Sequence, residues 1–246
     1  MWIFWLQNQH SWKREFRVSK SQQLIRIGRT GEDHPKEGRG CDFCRLDKIE
    51  GIHKVMGKVR GRKIFLWAQS PGPKENKERK ELIGPSGEFL WYELKKCAGI
   101  ERDDVDIQNV VRCLPADYRP NAYSSLKMRA PKKEELKCCS IYNEEALERS
   151  KAKLHLVFGK IAAQAILGKE LKQNKRVFYC ETMKAWVVYL DHPSYFIYQG
   201  FRAGDHKQSS VSLKRFRQDL EHARKLLHHG TSEEHRGSRW SDVESL

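Results

Sequence analysis

Apolar positions along this chain gather in short dense runs separated by stretches of helical periodicity. Ile64-Phe-Leu-Trp-Ala68 is one such run, stopped by Pro71-Gly72, and it reads as a buried strand followed by a turn. Leu154-His-Leu-Val-Phe-Gly159 and Ala185-Trp-Val-Val-Tyr-Leu190 repeat the pattern, and Val105-Asp-Ile-Gln-Asn-Val-Val111 ends a further strand. Between and after them the spacing changes. Phe89, Leu90, Leu94 and Cys97 recur helically within Gly87–Ala98, as do Ile161, Ala165 and Ile166 directly after the 154–159 run. Leu213, Phe216, Leu220, Ala223 and Leu227 form one apolar stripe of a last helix, with Lys214, Arg217, Arg224 and Lys225 on its other side as a solvated face. Strands alternating with helices predict a three-layer α/β/α domain around a mostly parallel four-stranded sheet. Ligands of such sheets bind beyond the carboxyl ends of the strands.

The 246 residues suit one sizeable domain with appendages. Residues 1–35 mix Trp2, Phe4, Trp5, Trp12 and Phe16 with lysine and arginine, and are expected as an extension packed on the core. The domain itself is expected over 36–228, and the polar segment 229–246 as a disordered tail. A formal net charge of +15 and a pI near 9.5 call for a polyanionic partner, nucleic acid first. No run of about 18 apolar residues is present, so no membrane span is expected. The apolar start Met1–Leu6 is too short for a secretory signal and lacks a charged leader. Seven unevenly spaced cysteines argue against a disulfide framework and for an intracellular, cytoplasmic protein with a thiolate site.

Several short motifs fall at or near the ends of the predicted strands. Cys41-Asp-Phe-Cys44 precedes the first strand and Gln69-Ser-Pro-Gly72 follows it. Leu82-Ile-Gly-Pro-Ser-Gly87 opens the next helix, Asn109-Val-Val-Arg-Cys113 closes the second strand, and His192-Pro-Ser194 closes the last. Two residues between Cys41 and Cys44 let both sulfurs face one metal, and Cys113 and Cys139 could complete a four-thiolate set, for an iron–sulfur cluster or for zinc. Cys97 and Cys180 sit in apolar surroundings and read as core residues. The segment between Cys113 and Cys139 is a basic insertion in which Arg119, Lys127 and Arg129 are candidate DNA contacts.

In this order the motifs resemble those of the uracil-DNA glycosylase superfamily, specifically its iron–sulfur branch, usually called family 4, over roughly residues 38–227. The resemblance implies a DNA-binding, monomeric enzyme and a [4Fe–4S] cluster on Cys41, Cys44, Cys113 and Cys139, held in a loop region with a structural role. Cys139 is preferred to Cys138 because Glu134-Glu-Leu-Lys-Cys-Cys139 follows the family pattern. It implies that His192 hydrogen-bonds the departing base, that Asn109 reads the base edge, and that Gln69 stands where relatives carry a glutamate. Ser70 and Leu82 fall in the base pocket, Gly72, Ser86 and Ser194 against the DNA backbone, and Phe196 where the family inserts an apolar wedge. Two departures lie on the pocket: Gln69 replaces the carboxylate, and Leu82 replaces a phenylalanine that stacks on the base. Glu75 and Asp191 are the nearest substitute carboxylates.

The expected activity is hydrolysis of the glycosidic bond of a flipped non-standard pyrimidine, leaving an abasic site. The two departures tilt the expectation toward a bulky modified pyrimidine, such as glucosylated hydroxymethylcytosine in phage DNA, a defence role. Uracil repair is the alternative, and a DNA-binding protein without catalysis the second. A related branch captures the sugar with a loop histidine; the 114–138 insertion has none, so ordinary turnover is expected.

Overall fold

A computed structural model describes residues 38–118, 126–168, 176–201 and 210–229. The expected N-terminal extension, the 230–246 tail and Arg119 lie outside these residues. Among the described residues no helix is long and apolar enough to cross a membrane.

The central sheet is built from β1 (Ile64–Ala68), β2 (Val105–Asn109), β5 (Leu154–Phe158), β6 (Val177–Cys180) and β7 (Ala185–Leu190), in the order β2-β1-β5-β7-β6. The first four strands run parallel, and β6 pairs antiparallel with β7. The predicted four-stranded sheet is thus a five-stranded mixed one. β6 escapes the sequence pattern because it is a four-residue edge strand whose side chains are all only half-buried. A second omission is the small hairpin of β3 (Ala116–Tyr118) and β4 (Leu126–Met128) in the basic insertion, too short and exposed to show a periodicity.

Why the strands read as unbroken apolar runs is visible in β1, every residue of which is buried. Ile64 and Leu66 enter one core layer, and Phe65 and Trp67 the opposite one. A strand covered on both faces has no polar side to alternate with. The first layer is closed by α3 (Pro85–Glu93), its π-helical continuation Leu94–Ala98, α6 (Pro193–Tyr198) and α7 (Val211–His229). The second is closed by α4 (Lys133–Arg149) and α5 (Gly159–Leu167). The short helices α1 (Cys41–Cys44) and α2 (Pro73–Glu78) complete the set. A third cluster of Leu46, Ile52, Val111, Leu114 and Ala116 lies under the cysteine-bearing loop.

Polar staples fix what burial leaves free. Asp106, fully buried on β2, accepts the backbone N–H groups of Arg60, Gly61 and Arg62 at 2.8–2.9 Å. Glu93, at the end of α3, makes a bidentate pair with Arg217 of α7 at 2.7 and 2.8 Å. Arg217 therefore belongs to the interior joint of two helices rather than to a solvated face.

Contrary to the cluster expected in the loop before β1, among the described residues no group of three or more Cys, His, Asp or Glu side chains is placed to hold a metal ion.

Candidate active site

The carboxyl ends of β1, β2, β5 and β7 lie side by side. Ala68 and Asn109 are in register, and the ladder runs one step further, with Val110 N–H donating to Ala68 O at 2.9 Å and Val111 N–H to Gln69 O at 3.0 Å. Gln69 and Ser70, both half-buried, thereby sit directly beside the end of β2. Asn109 is 2% exposed, and its side-chain oxygen is buried without a hydrogen-bond partner. An amide oxygen in that state costs free energy until a donor reaches it.

At the other end of this row, His192 follows β7 as the N-cap of α6, with Pro193 in the first turn. Its Nδ1 accepts the Ser194 backbone N–H at 3.2 Å and lies 2.8 Å from the Ser194 hydroxyl. Because Nδ1 is an acceptor, the neutral ring carries its proton on Nε2. Burial pushes the His192 pKa down to about 4, so the ring is an uncharged donor at neutral pH. The backbone of Gly159, with φ +80°, passes so close that a Cβ there would lie 3.1 Å from the His192 Cβ, and only glycine fits both demands. Three strand spacings, about 14 Å, separate β2 from β7.

The carboxylates that might have replaced the missing glutamate are otherwise engaged. Glu75 is buried and accepts the backbone N–H groups of Ile83 and Gly84 at 3.1 and 2.8 Å. A Cβ on Gly72 would meet its other oxygen at 2.8 Å, so Glu75, bonded to the Leu82 loop, also lies against the Gln69–Gly72 turn. Asp191 pairs with Arg176 at 3.2 Å. Their roles as loop and strand anchors were hidden in sequence; only the position of Glu75, three residues after Gly72 in the first turn of α2, hinted at one.

Other predicted residues divide. Leu82 and Ser86 are half-buried at the start of α3, on the Glu75-bound loop. Ser194 has its hydroxyl turned onto His192. Phe196 is fully buried, stacked on Phe89 at 5.4 Å between ring centroids and packed on Phe216, so it is a core aromatic and not an exposed wedge. Its neighbours Tyr195 and Tyr198, 44% and 88% exposed, carry the solvent side of α6 instead. Lys127 is exposed on β4, whereas Arg129 is spent on Asp117 at 2.8 Å and Glu135 at 2.6 Å.

Cys41, Cys44, Cys113 and Cys139 do come together, around a cavity of about 110 Å³ also lined by Lys54, Arg112 and Tyr142. The sulfurs make separate hydrogen bonds. Cys41 hydrogen-bonds the Tyr142 hydroxyl at 3.0 Å, and Cys44 pairs with Cys139. That pairing holds Cys44 down at about 7 and, with burial, pushes Cys139 up; burial pushes Cys113 up to about 12. The alternative ligand Cys138 donates to the Gly38 carbonyl at 3.5 Å and also contacts Cys44. With Cys113 and Cys139 held as thiols and, among the described residues, no group of three or more Cys, His, Asp or Glu side chains placed to hold a metal ion, the expected [4Fe–4S] cofactor is not supported.

A mostly parallel sheet with an uncharged imidazole donor and a buried, unsatisfied amide oxygen at the carboxyl ends of its strands is an α/β fold with polar groups set at its ligand-binding edge. The chain belongs to the uracil DNA glycosylase superfamily, whose sequence model matches residues 56–221. It is similar to the Type-4 uracil-DNA glycosylase of Sulfurisphaera tokodaii, 31% identical over 130 residues, covering 52% of this chain and 54% of that protein. The Type-4 uracil-DNA glycosylase of Saccharolobus solfataricus is 28% identical over 125 residues, 50% and 53% of the two chains. That of Thermotoga maritima is 34% identical over 80 residues, 32% and 41%. The chain spans about half the length of the first two relatives.

Proposed function

We propose that this protein is a monofunctional DNA glycosylase that excises uracil and leaves an abasic site. The observation that carries the reading is the buried, unpartnered oxygen of Asn109 facing the same edge as the neutral His192. Uracil N3–H supplies the donor that Asn109 lacks. The Nε2–H of His192 donates to the base oxygen that gains charge as the glycosidic bond breaks. A donor aimed at developing charge, where water is excluded, contributes about 3–4 kcal/mol to the barrier. Glu75 and Asp191 are both engaged in the packing, the first on the backbone of Ile83 and Gly84 and the second on Arg176, and on this reading the bond therefore breaks with an oxocarbenium-like sugar ahead of water attack.

The similarity to uracil-DNA glycosylases favours uracil over the bulky modified pyrimidine that the pocket departures suggested. DNA is the expected partner on the same grounds and on the +15 charge. Exposed Tyr195 and Tyr198, one helical turn apart beside His192, offer flat faces for stacking on DNA bases.

The test is release of free base from uracil-containing oligonucleotides. His192→Ala and Asn109→Leu should each lower kcat by about 10²–10³-fold without loss of fold. Activity in both variants equal to wild type would refute the assignment.

A further inference from the structure

The residue directly before His192 is tied into the interior by an arginine. Asp191, half-buried, accepts a hydrogen bond from the Arg176 guanidinium at 3.2 Å. Arg176 is 9% exposed and stands just ahead of β6. Its Nε lies 2.8 Å from the buried Asp219 carboxylate of α7, an ion pair without hydrogen-bond alignment. Its carbonyl accepts the Tyr189 N–H at 2.7 Å, and its guanidinium lies over the Tyr189 ring, 5.4 Å from the centroid. One side chain therefore joins the start of the edge strand, the end of β7 and the last helix. That helix is fixed in its turn, by the Glu93–Arg217 pair and by Phe216 and Leu220 in the core layer of Leu190 and Phe196.

A buried arginine between two carboxylates is a weak source of stability, because taking the charges out of water offsets most of their attraction. Its directional contacts do fix geometry, and what they fix here is the chain entering the His192 turn. The other contacts of His192 act on its side chain: Gly159 packs against its Cβ, and the Ser194 N–H holds Nδ1. Arg176 supplies the restraint on the backbone that these two leave open.

We propose that Arg176 is a positioning residue that, through Asp191, fixes the direction in which His192 presents its Nε2–H. The inference rests on the glycosylase reading. A misplacement of about 1 Å at a reacting group costs up to about 10²-fold in rate, so a donor aimed at the departing base needs a fixed backbone behind it. Once Arg176 releases Asp191, the turn at 190–193 loosens and water reaches the imidazole.

Arg176→Gln and Asp191→Ala break the link from its two ends, and Arg176→Lys keeps the cation while losing the fork. Asp191→Ala leaves the buried Arg176–Asp219 pair in place, so it reports on positioning even where Arg176→Gln unfolds. Uracil release is measured with kcat and KM resolved, together with thermal melting and an NMR titration of the His192 ring. The expected result is a kcat lowered about 10–10²-fold in Arg176→Gln and in Asp191→Ala, with KM within a few-fold. Combining the two should cost no more than either alone, and Arg176→Lys should recover part of the loss. The His192 titration should move up from about 4 toward the ordinary 6.5 as burial is lost, a change that lower stability alone does not produce. A lower melting temperature with kcat and the His192 titration unmoved would overturn the proposal and leave Arg176 a staple of the edge strand. A wild type that releases no uracil would overturn the glycosylase reading instead. The titration then decides on Arg176 by itself, and an unmoved ring in Asp191→Ala would overturn its role.

Discussion

His192 shows how one residue's surroundings set its chemistry. Its folded pKa of about 4 lies below the ordinary 6.5, so between these values the unfolded chain binds more protons than the folded one. The stability this group contributes is fully present above about pH 6.5 and is lost as pH falls through about 4. Activity, if it depends on the neutral ring, should stay flat from pH 8 down past 6 and fall only on approach to 4. An acid limb centred near 6.5 in a pH–rate profile would contradict that, as would a His192 ring-proton NMR titration near 6.5. In sequence, the histidine and the asparagine were singled out through the resemblance of His-Pro-Ser and Asn-Val-Val to a family's motifs, and the structure places both at strand ends. The tautomer was not, since it depends on the Ser194 N–H. The unpaired state of the Asn109 oxygen was equally hidden, because only the packed structure shows what fails to reach it.

Among elements, the joints carry the predictions. Asp106→Ala leaves the backbone N–H groups of the half-buried to exposed residues 60–62 without their shared buried acceptor, and should cost about 1–3 kcal/mol, since water reaches these donors in part. Urea denaturation would measure it. Glu93→Gln breaks the buried bidentate pair with Arg217 and should cost about 3–5 kcal/mol, loosening α7 against α3; a loss under 1 kcal/mol would show that the pair is replaceable. The four parallel strands were readable because both faces are apolar. Edge strand β6 and the β3–β4 hairpin were not, since half-buried edges carry no clear period. Arg129 and Arg217 looked like free surface cations in sequence and are internal struts, a distinction made by Glu135 and Glu93 lying opposite them in space. Phe196 reversed in the same way: its place after His-Pro-Ser suggested a wedge, but the i+3 turn of α6 points it at Phe89 and Phe216.

For the whole molecule, the net charge of +15 predicts DNA affinity that falls steeply with salt, log K against log[salt] giving a slope of about −0.9 for each phosphate neutralised; a flat dependence would remove the electrostatic part of the account. The grouping of the four cysteines was legible as a motif, yet its chemistry was not, because a CxxC pair says which sulfurs are near and not whether they are thiolates. The central claim is that Asn109 and His192 together read and release uracil. The most direct measurement is therefore base release, by mass spectrometry, from matched oligonucleotides bearing uracil, hypoxanthine or glucosylated hydroxymethylcytosine. The expected result is release of uracil alone, abolished in the Asn109→Leu and His192→Ala double variant. Release of the glucosylated base with uracil left intact would contradict it.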